Sequence, residues 1–293
     1  MTFPSRMTPP VSPSPGRLEG CPAPAKLNLF LHVVGRRADG YHLLQTVFRL
    51  LDWGDTLDFA VREDGAICRT NAVADVPEET DLCVRAARAL QQATGCPLGA
   101  DITLHKRLPL GGGLGGGSSD AATTLMALNH LWNTRLDPVR LREIGVGLGA
   151  DVPFFLFGCD AFVEGIGEIL QPVTLSPACY VVLAPGISVP TAQIYASPDL
   201  TRNTPQIRMP GFTFDRTRND LQPVACQLFP EVKDALSWLG QFAPARMTGS
   251  GACVFAPAES PEHAAWIVGQ CPTRWQAWQA ASLAQHPMCG LET

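Results

Sequence analysis

An α+β protein of two lobes is what this sequence predicts, on three observations: a length beyond one core, a β-rich N-terminal stretch, and a mid-chain glycine loop joined to a helix. At 293 residues the chain exceeds the size at which a single hydrophobic core usually stops growing. Hydrophobic residues make up 46% and charged residues 17%, ample apolar surface to bury. The expected organisation is a leader over residues 1–16, a first domain over 17–162 and a second over 163–293. The last ~12 residues are expected to pack back on the first domain.

The elements follow in order. Residues Met1 to Pro15 are rich in Pro and Ser and read as a disordered leader, with Met7 an alternative start. Lys26 to Val34 reads as a strand, with Leu27, Leu29, Leu31 and Val33 on one face and Lys26, Asn28, Phe30 and His32 on the other. Arg37 to Gly40 is a turn cluster; Val47 to Leu51, and Leu57, Phe59 and Val61, continue the β pattern. Leu82, Ala86, Ala89, Leu90 and Ala93 fall at helical spacing before Gly95, and Ile102 with Leu104 marks a short strand leading to Lys106. Ala121, Leu125, Leu128 and Trp132 lie on one face of a helix whose first turn Ser118 or Ser119 can cap. An apolar run follows to Phe157, then a hairpin over Ala161 to Leu170. Further on come a strand at Tyr180 to Leu183, an irregular stretch from Pro185 to Pro210, and a helix over Val232 to Phe242. A strand from Cys253 and a helix containing Ala265 and Val268 complete the reading.

Composition excludes several function classes. A formal net charge of −5, without a run of Lys or Arg, offers no field for a nucleic-acid backbone. No segment reaches the ~20 apolar residues of a membrane span, and the N-terminus lacks a signal-peptide apolar core. Ten cysteines scattered from Cys21 to Cys289, with no C-x-x-C pair or zinc spacing, read as reduced structural thiols. The expectation is a cytoplasmic protein with a small-molecule partner, monomer or homodimer, binding neither nucleic acid nor membrane.

The run Pro109-Leu110-Gly111-Gly112-Gly113-Leu114-Gly115-Gly116-Gly117-Ser118-Ser119-Asp120 carries the strongest local signal. Glycines let backbone N–H groups close around an anion, and the following helix adds the positive end of its dipole. It is not a Walker loop, since no Gly-Lys-Ser/Thr closes it. A dinucleotide loop would open a βαβ unit, and the β-rich lead-in opposes that.

Pro109, Gly113, Leu114, Gly115, Gly117, Ser118 and Ser119 together resemble the phosphate-binding motif of the GHMP kinases. Three more motifs resemble that family's in order: Pro24-Ala25-Lys26-Leu27-Asn28-Leu29 with Arg37-x-Asp39-Gly40-Tyr41-His42, then Gly149-Ala150-Asp151-Val152-Pro153-Phe154-Phe155, then Thr248-Gly249-Ser250-Gly251-Ala252. The resemblance spans about Pro24 to Ala256. It implies a two-domain GHMP kinase fold, with an N-terminal ATP lobe like ribosomal protein S5 and a ferredoxin-like α+β C-terminal lobe. It also implies ATP as phosphoryl donor, with Mg2+ expected from metal ligands the sequence does not identify.

What the resemblance implies for single residues is as follows. Asp151 accepts the proton of the acceptor hydroxyl, and Lys26 pairs with it and steadies the developing charge. By residue type alone, Asp151 reads as a turn or cap aspartate and Lys26 as a solvated strand lysine. Gly111, Gly112, Gly113, Leu114, Gly115, Gly116 and Gly117 with Pro109, Ser118 and Ser119 cradle the ATP phosphates; Lys106 contributes charge and Leu82 packs on adenine. Where relatives commonly have Asp-Asn-Leu this chain has Thr80-Asp81-Leu82, which leaves open whether Asp81 reads adenine. The N-terminal motifs resemble those of the branch acting on a cytidine-diphosphate sugar alcohol. There Tyr41 and Tyr195 sandwich the cytosine, His42 bonds its edge, and Asn28 and Thr191 place the other end near Asp151. Rival readings are another GHMP small-molecule kinase, for homoserine, mevalonate or a sugar, and a non-catalytic ligand sensor; Tyr41-His42 and the retained Lys26 and Asp151 oppose them respectively.

Overall fold

The computed structural model describes residues 7–74, 76–209 and 212–291. The first lobe runs β1 (Arg17–Arg36), β2 (His42–Arg62), β3 (Ile67–Arg69), α1 (Leu82–Thr94), β4 (Gly99–His105), α2 (Gly116–Leu131), α3 (Pro138–Val146), α4 (Val152–Phe157), β5 (Ala161–Glu164) and β6 (Ile169–Pro172). The second runs β7 (Cys179–Ala184), α5 (Thr191–Ala196), α6 (Gln222–Leu228), α7 (Pro230–Leu239), β8 (Arg246–Met247), β9 (Val254–Ala258), α8 (Pro261–Gly269) and β10 (Gln276–Ala281). One sheet is ordered β3-β4-β2-β5-β6 with β1 on the other edge of β2; the other is ordered β10-β7-β9-β8. The expected division after residue 162 falls inside β5, and the first sheet continues to Pro172.

Three apolar clusters hold this together. The first lies between the first sheet and α1, α2 and α4 and includes Leu57, Leu90, Leu125 and Phe154. The second packs Val181, Val254, Leu221, Val232 and Ile267 in the second lobe. The third, with Leu27, Phe30, Trp53, Phe162, Tyr180 and Phe255, joins the two sheets. Burial at ~25 cal/mol per Å² makes such an inter-lobe core a strong tie. Among the described residues no helix is long and apolar enough to cross a membrane.

β1 departs from the simple alternation read in the sequence. Both its faces are buried, so Lys26, Asn28 and His32 are nearly as covered as Leu27 and Val33. Register shifts interrupt its pairing with β2 between Pro24 and Lys26 and between Asn28 and Leu31. Such bulges insert a residue and re-aim the side chains after it. In consequence Lys26, Asn28 and then Leu31, not Phe30, face one cavity. At Leu31 the strand also engages the second lobe, donating its N–H to Arg218 O at 3.0 Å and accepting from Asp220 N at 2.8 Å.

Other differences have local causes. Residues 1–6 of the expected leader lie outside the described residues, but Val11 and Glu19 exchange backbone bonds of 3.0 and 2.8 Å along the start of β1. The 185–210 stretch contains α5. The apolar run after Asp151 is the helix α4, started by Pro153 in its first turn. α2 begins two residues before Ser118 and is capped by Gly115, not by a serine hydroxyl. At the far end, Met288 joins the first-lobe core and His286 N donates to Gly158 O at 2.8 Å.

Candidate active site

A cavity of about 850 Å3 lies between the lobes. Its walls come from segments distant in sequence: β1 with the start of β2, the glycine loop, the residues before α4, the 163–167 turn, and the 189–196 and 249–251 stretches.

The loop from Gly111 to Gly117 is anchored by its carbonyls. Leu114 O accepts from Lys26 N at 3.0 Å, Gly112 O from Cys253 N at 3.1 Å, and Gly113 O from Thr248 Oγ1 at 3.4 Å. The first helical bond of α2 runs from Ser119 N to Gly115 O at 2.9 Å, so the amides of Gly116, Gly117 and Ser118 have no intrahelical acceptor. Carbonyls face the scaffold while N–H groups remain for a ligand, a cradle whose chemistry suits an anion such as phosphate. Gly113 and Gly115 have φ of +76° and +75°, and a Cβ at either would stand 2.3 Å from Thr248 O or 2.9 Å from Phe155 Cζ. Only glycine meets both conditions.

Beside the loop, Lys26 Nζ lies 3.4 Å from Asp151 Oδ2, donates to Asn28 Oδ1 at 2.5 Å and sits 4.8 Å from the centre of the Phe48 ring. Asn28 is held in turn, its Nδ2 donating to Thr46 Oγ1 at 3.1 Å and its N to Thr248 Oγ1 at 2.9 Å. The lysine side chain is buried and the aspartate is 30% exposed, so the pair presents its carboxylate to the cavity. Toward the other end, the His42 and Tyr195 rings stand 4.9 Å apart and Tyr41 is 60% exposed. Burial, then the Asp151 charge, pushes the Tyr195 phenol up. Burial, then Arg202 and Arg36, lowers the His42 imidazole. Thr191 Oγ1 is 2.7 Å from Ser250 Oγ.

The cavity thus gathers Lys26, Asn28, Tyr41, His42, Gly111, Gly113, Gly115, Ser118, Asp151, Thr191 and Tyr195. It does not gather all the expected residues. Pro109 and Gly112 line a separate cavity of about 460 Å3 behind the loop, with Cys253 and Trp275. Leu82 packs toward Gly117, whose added Cβ would lie 3.3 Å from Leu82 Cδ1. Lys106 reaches the loop at Gly116, but its Nζ is held by Asp55 Oδ2 at 2.6 Å and Asp120 Oδ2 at 2.9 Å. Burial opposes that ammonium, yet the two carboxylates override it and hold it above its ordinary range. Burial and Asp55 push the Asp120 carboxyl up. Asp81 caps α1 through Cys83 N at 2.7 Å and pairs with Arg69 Nη1 at 2.5 Å. Both its oxygens are committed, which accounts for an aspartate there without an adenine contact.

Sequence reasoning missed Thr46, Phe48, Asp55, Asp120 and Arg202. Asp120 directly follows the motif serines and could have been read with them; the others lie in segments with no local signal.

A phosphate cradle beside a buried lysine–aspartate pair, over a cleft between two α+β lobes, defines a small-molecule phosphotransferase of the GHMP type. Models of the GHMP kinases N terminal domain and GHMP kinases C terminal match residues 81–159 and 212–276. The 4-diphosphocytidyl-2-C-methyl-D-erythritol kinases of Azoarcus sp. (strain BH72) and Aromatoleum aromaticum are 67% and 61% identical, each over 94% of this chain and 98% or 96% of their own length. A crystal structure of 4-(cytidine 5'-diphospho)-2C-methyl-D-erythritol kinase superposes with TM-score 0.78 at 34% identity, over 91% of this chain and 98% of that one. The chain belongs to the 4-diphosphocytidyl-2-C-methyl-D-erythritol kinase family of the GHMP kinases. A homoserine kinase from Cytophaga hutchinsonii, with TM-score 0.70 at 16% identity, shares the fold.

Proposed function

We propose that the protein transfers the γ-phosphoryl group of ATP to the 2-hydroxyl of 4-diphosphocytidyl-2-C-methyl-D-erythritol, giving the 2-phosphate and ADP, in the methylerythritol phosphate route to isopentenyl diphosphate. One observation carries the reading: the Lys26–Asp151 pair opens onto the cavity that has the glycine cradle at one side and Tyr41, His42 and Tyr195 at another.

In this reading the glycine-loop amides and the α2 N-terminus hold the ATP phosphates. Asn28 and Thr191 place the acceptor hydroxyl against Asp151, which takes its proton. The hydroxyl oxygen bonds to the γ-phosphorus as the bond to the β-phosphate oxygen breaks and ADP leaves. Lys26 pairs with Asp151 and offsets charge on the transferring group. Tyr41 and Tyr195 stack on the cytosine while His42 meets its edge.

A magnesium ion would neutralise the phosphate oxygens. Among the described residues no group of three or more His, Cys, Asp or Glu could hold a metal. Ser119 Oγ and Asp120 Oδ1, in the first turn of α2, are buried without a partner. One hydroxyl and one carboxylate oxygen is the donor set magnesium takes when phosphate and water supply the rest.

The test is coupled ATP turnover with this acceptor for wild type and Asp151→Asn. The expected loss is about 10²–10⁴ in kcat with little change in either KM. A folded, ATP-binding protein that leaves this acceptor untouched, or phosphorylates homoserine or mevalonate instead, would sink the assignment.

A further inference from the structure

Arg202, in the loop after α5, makes four bonds with one guanidinium. Nη1 donates to Leu200 O at 3.0 Å, while Nη2 donates to Tyr195 O at 3.0 Å and Ser197 O at 2.7 Å. These carbonyls belong to the end of α5 and the turn beyond it, where a helix leaves its acceptors unpaired. The remaining bond reaches the start of β2: Nε donates to His42 Nε2 at 3.1 Å. One planar group therefore fixes the backbone beneath Tyr195 and the imidazole stacked against its ring.

The last bond also sets the chemistry of His42. A guanidinium has five donors, no acceptor, and does not deprotonate in proteins. His42 Nε2 must then be the acceptor and carry no proton, so the neutral ring carries its proton on Nδ1. This assignment needs no hydrogen to be seen, because the alternative sets two N–H groups against each other. Nδ1 donates to no protein group among the described residues, and the ring lines the cavity. The charged groups bearing on His42 are Arg202 and Arg36, both cations, and they resist a second proton.

We infer that Arg202 is a positioning and specificity residue, which locks His42 as an Nδ1–H donor facing the acceptor's base and holds Tyr195 in register with it. The inference rests on the reading in which the cytosine lies against Tyr195 and His42. Cytosine presents two adjacent acceptors, O2 and N3, whereas uracil carries a proton at N3. A donor that cannot switch tautomer accepts the first and opposes the second. Without Arg202, His42 can flip or change tautomer, and the discrimination goes with it.

Two measurements test this. Nitrogen NMR of labelled wild type reports the tautomer directly, and His42 is expected as Nδ1–H at neutral pH; a protonated Nε2 would overturn the inference. Kinetics of Arg202→Met and Arg202→Lys, with the cytidine acceptor and its uridine counterpart, supply the second. Arg202→Met is expected to raise KM for the cytidine acceptor roughly 10- to 100-fold and to narrow its preference over uridine, with kcat and the ATP KM nearly unchanged. Arg202→Lys keeps the charge but not the fork, and restores only part of the effect. An unchanged acceptor KM, or equal losses in kcat and both KM values, overturns the inference. If wild type ignores the cytidine acceptor, the proposed function fails, and the tautomer in wild type and Arg202→Lys decides the Arg202 question by itself.

Discussion

Replacing Gly115 by alanine tests whether the cradle's shape, and not just its amides, holds the site together. Two costs can be worked from the structure. Gly115 has φ +75°, and an L side chain in that region costs about 1–2 kcal/mol. The new Cβ would stand 2.9 Å from Phe155 Cζ, inside the first-lobe core, where overpacking costs about 1–3 kcal/mol. Together these give about 2–5 kcal/mol, or a fall in Tm of roughly 4–20 °C for a chain of this size. The same Cβ lies 3.2 Å from Lys26 Cε, so relaxation displaces the lysine from Asp151. A displacement near 1 Å costs on the order of 10²-fold in turnover. Thermal unfolding and single-turnover phosphoryl transfer report the two effects separately. Gly117→Ala is the control for the thermal measurement alone: it lies in regular helix, its Cβ meets only Leu82 Cδ1 at 3.3 Å, and alanine favours helix by about 1 kcal/mol over glycine. Wild-type Tm and wild-type turnover in Gly115→Ala would refute the account of the loop.

Lys106→Met leaves Asp55 and Asp120 together in the interior without their cation, at a cost of about 3–5 kcal/mol. Adding Asp120→Asn recovers part of it; equal denaturation midpoints for the single and double variants would contradict the buried-cluster reading. His286 is wholly buried, accepts from Met288 N at 3.2 Å, and its pKa is lowered by burial to about 3. Its folded pKa lies below the unfolded value, so the opened segment binds more protons between about 6.5 and 3. The stability it contributes is present above pH ~6.5 and is lost as pH falls toward 3, on the order of 5 kcal/mol in all. Hydrogen-exchange protection over residues 282–291 is expected to weaken on going from pH 7 to pH 5 in wild type, but not in His286→Gln; the same weakening in both would remove His286 as the cause.

The parts of this architecture that sequence reveals are those set by local chemistry. The amphipathic spacing before Gly95 gave α1, and the Gly-Gly-Gly-Leu-Gly run gave the cradle, because φ > 0 and close backbone approach are demands only glycine meets. The Lys26–Asp151 pair came from motif resemblance, since nothing in either residue's neighbourhood requires an ion pair across 125 positions. Phe30 and Leu31 exchange faces because a bulge, which has no sequence signature, shifts β1 against β2. Arg202 looked like one arginine in a Pro-rich stretch; its meaning lies in four acceptors that only the fold assembles. α4 followed Asp151 too briefly for a helical period to register.

β1 belongs to both halves of the molecule. It is paired to β2 along its length, contributes Leu27 and Phe30 to the apolar layer between the sheets, and gives Leu31 and Val33 to the second lobe. Lys26 and Asn28 are therefore mounted on a continuous beam welded at both ends. A cleft built this way cannot gape like a jaw to admit its substrates, because parting the halves would tear a strand out of a sheet. Lys26 is thereby tied to the glycine loop, whose Leu114 O accepts from its N–H, as well as to both sheets.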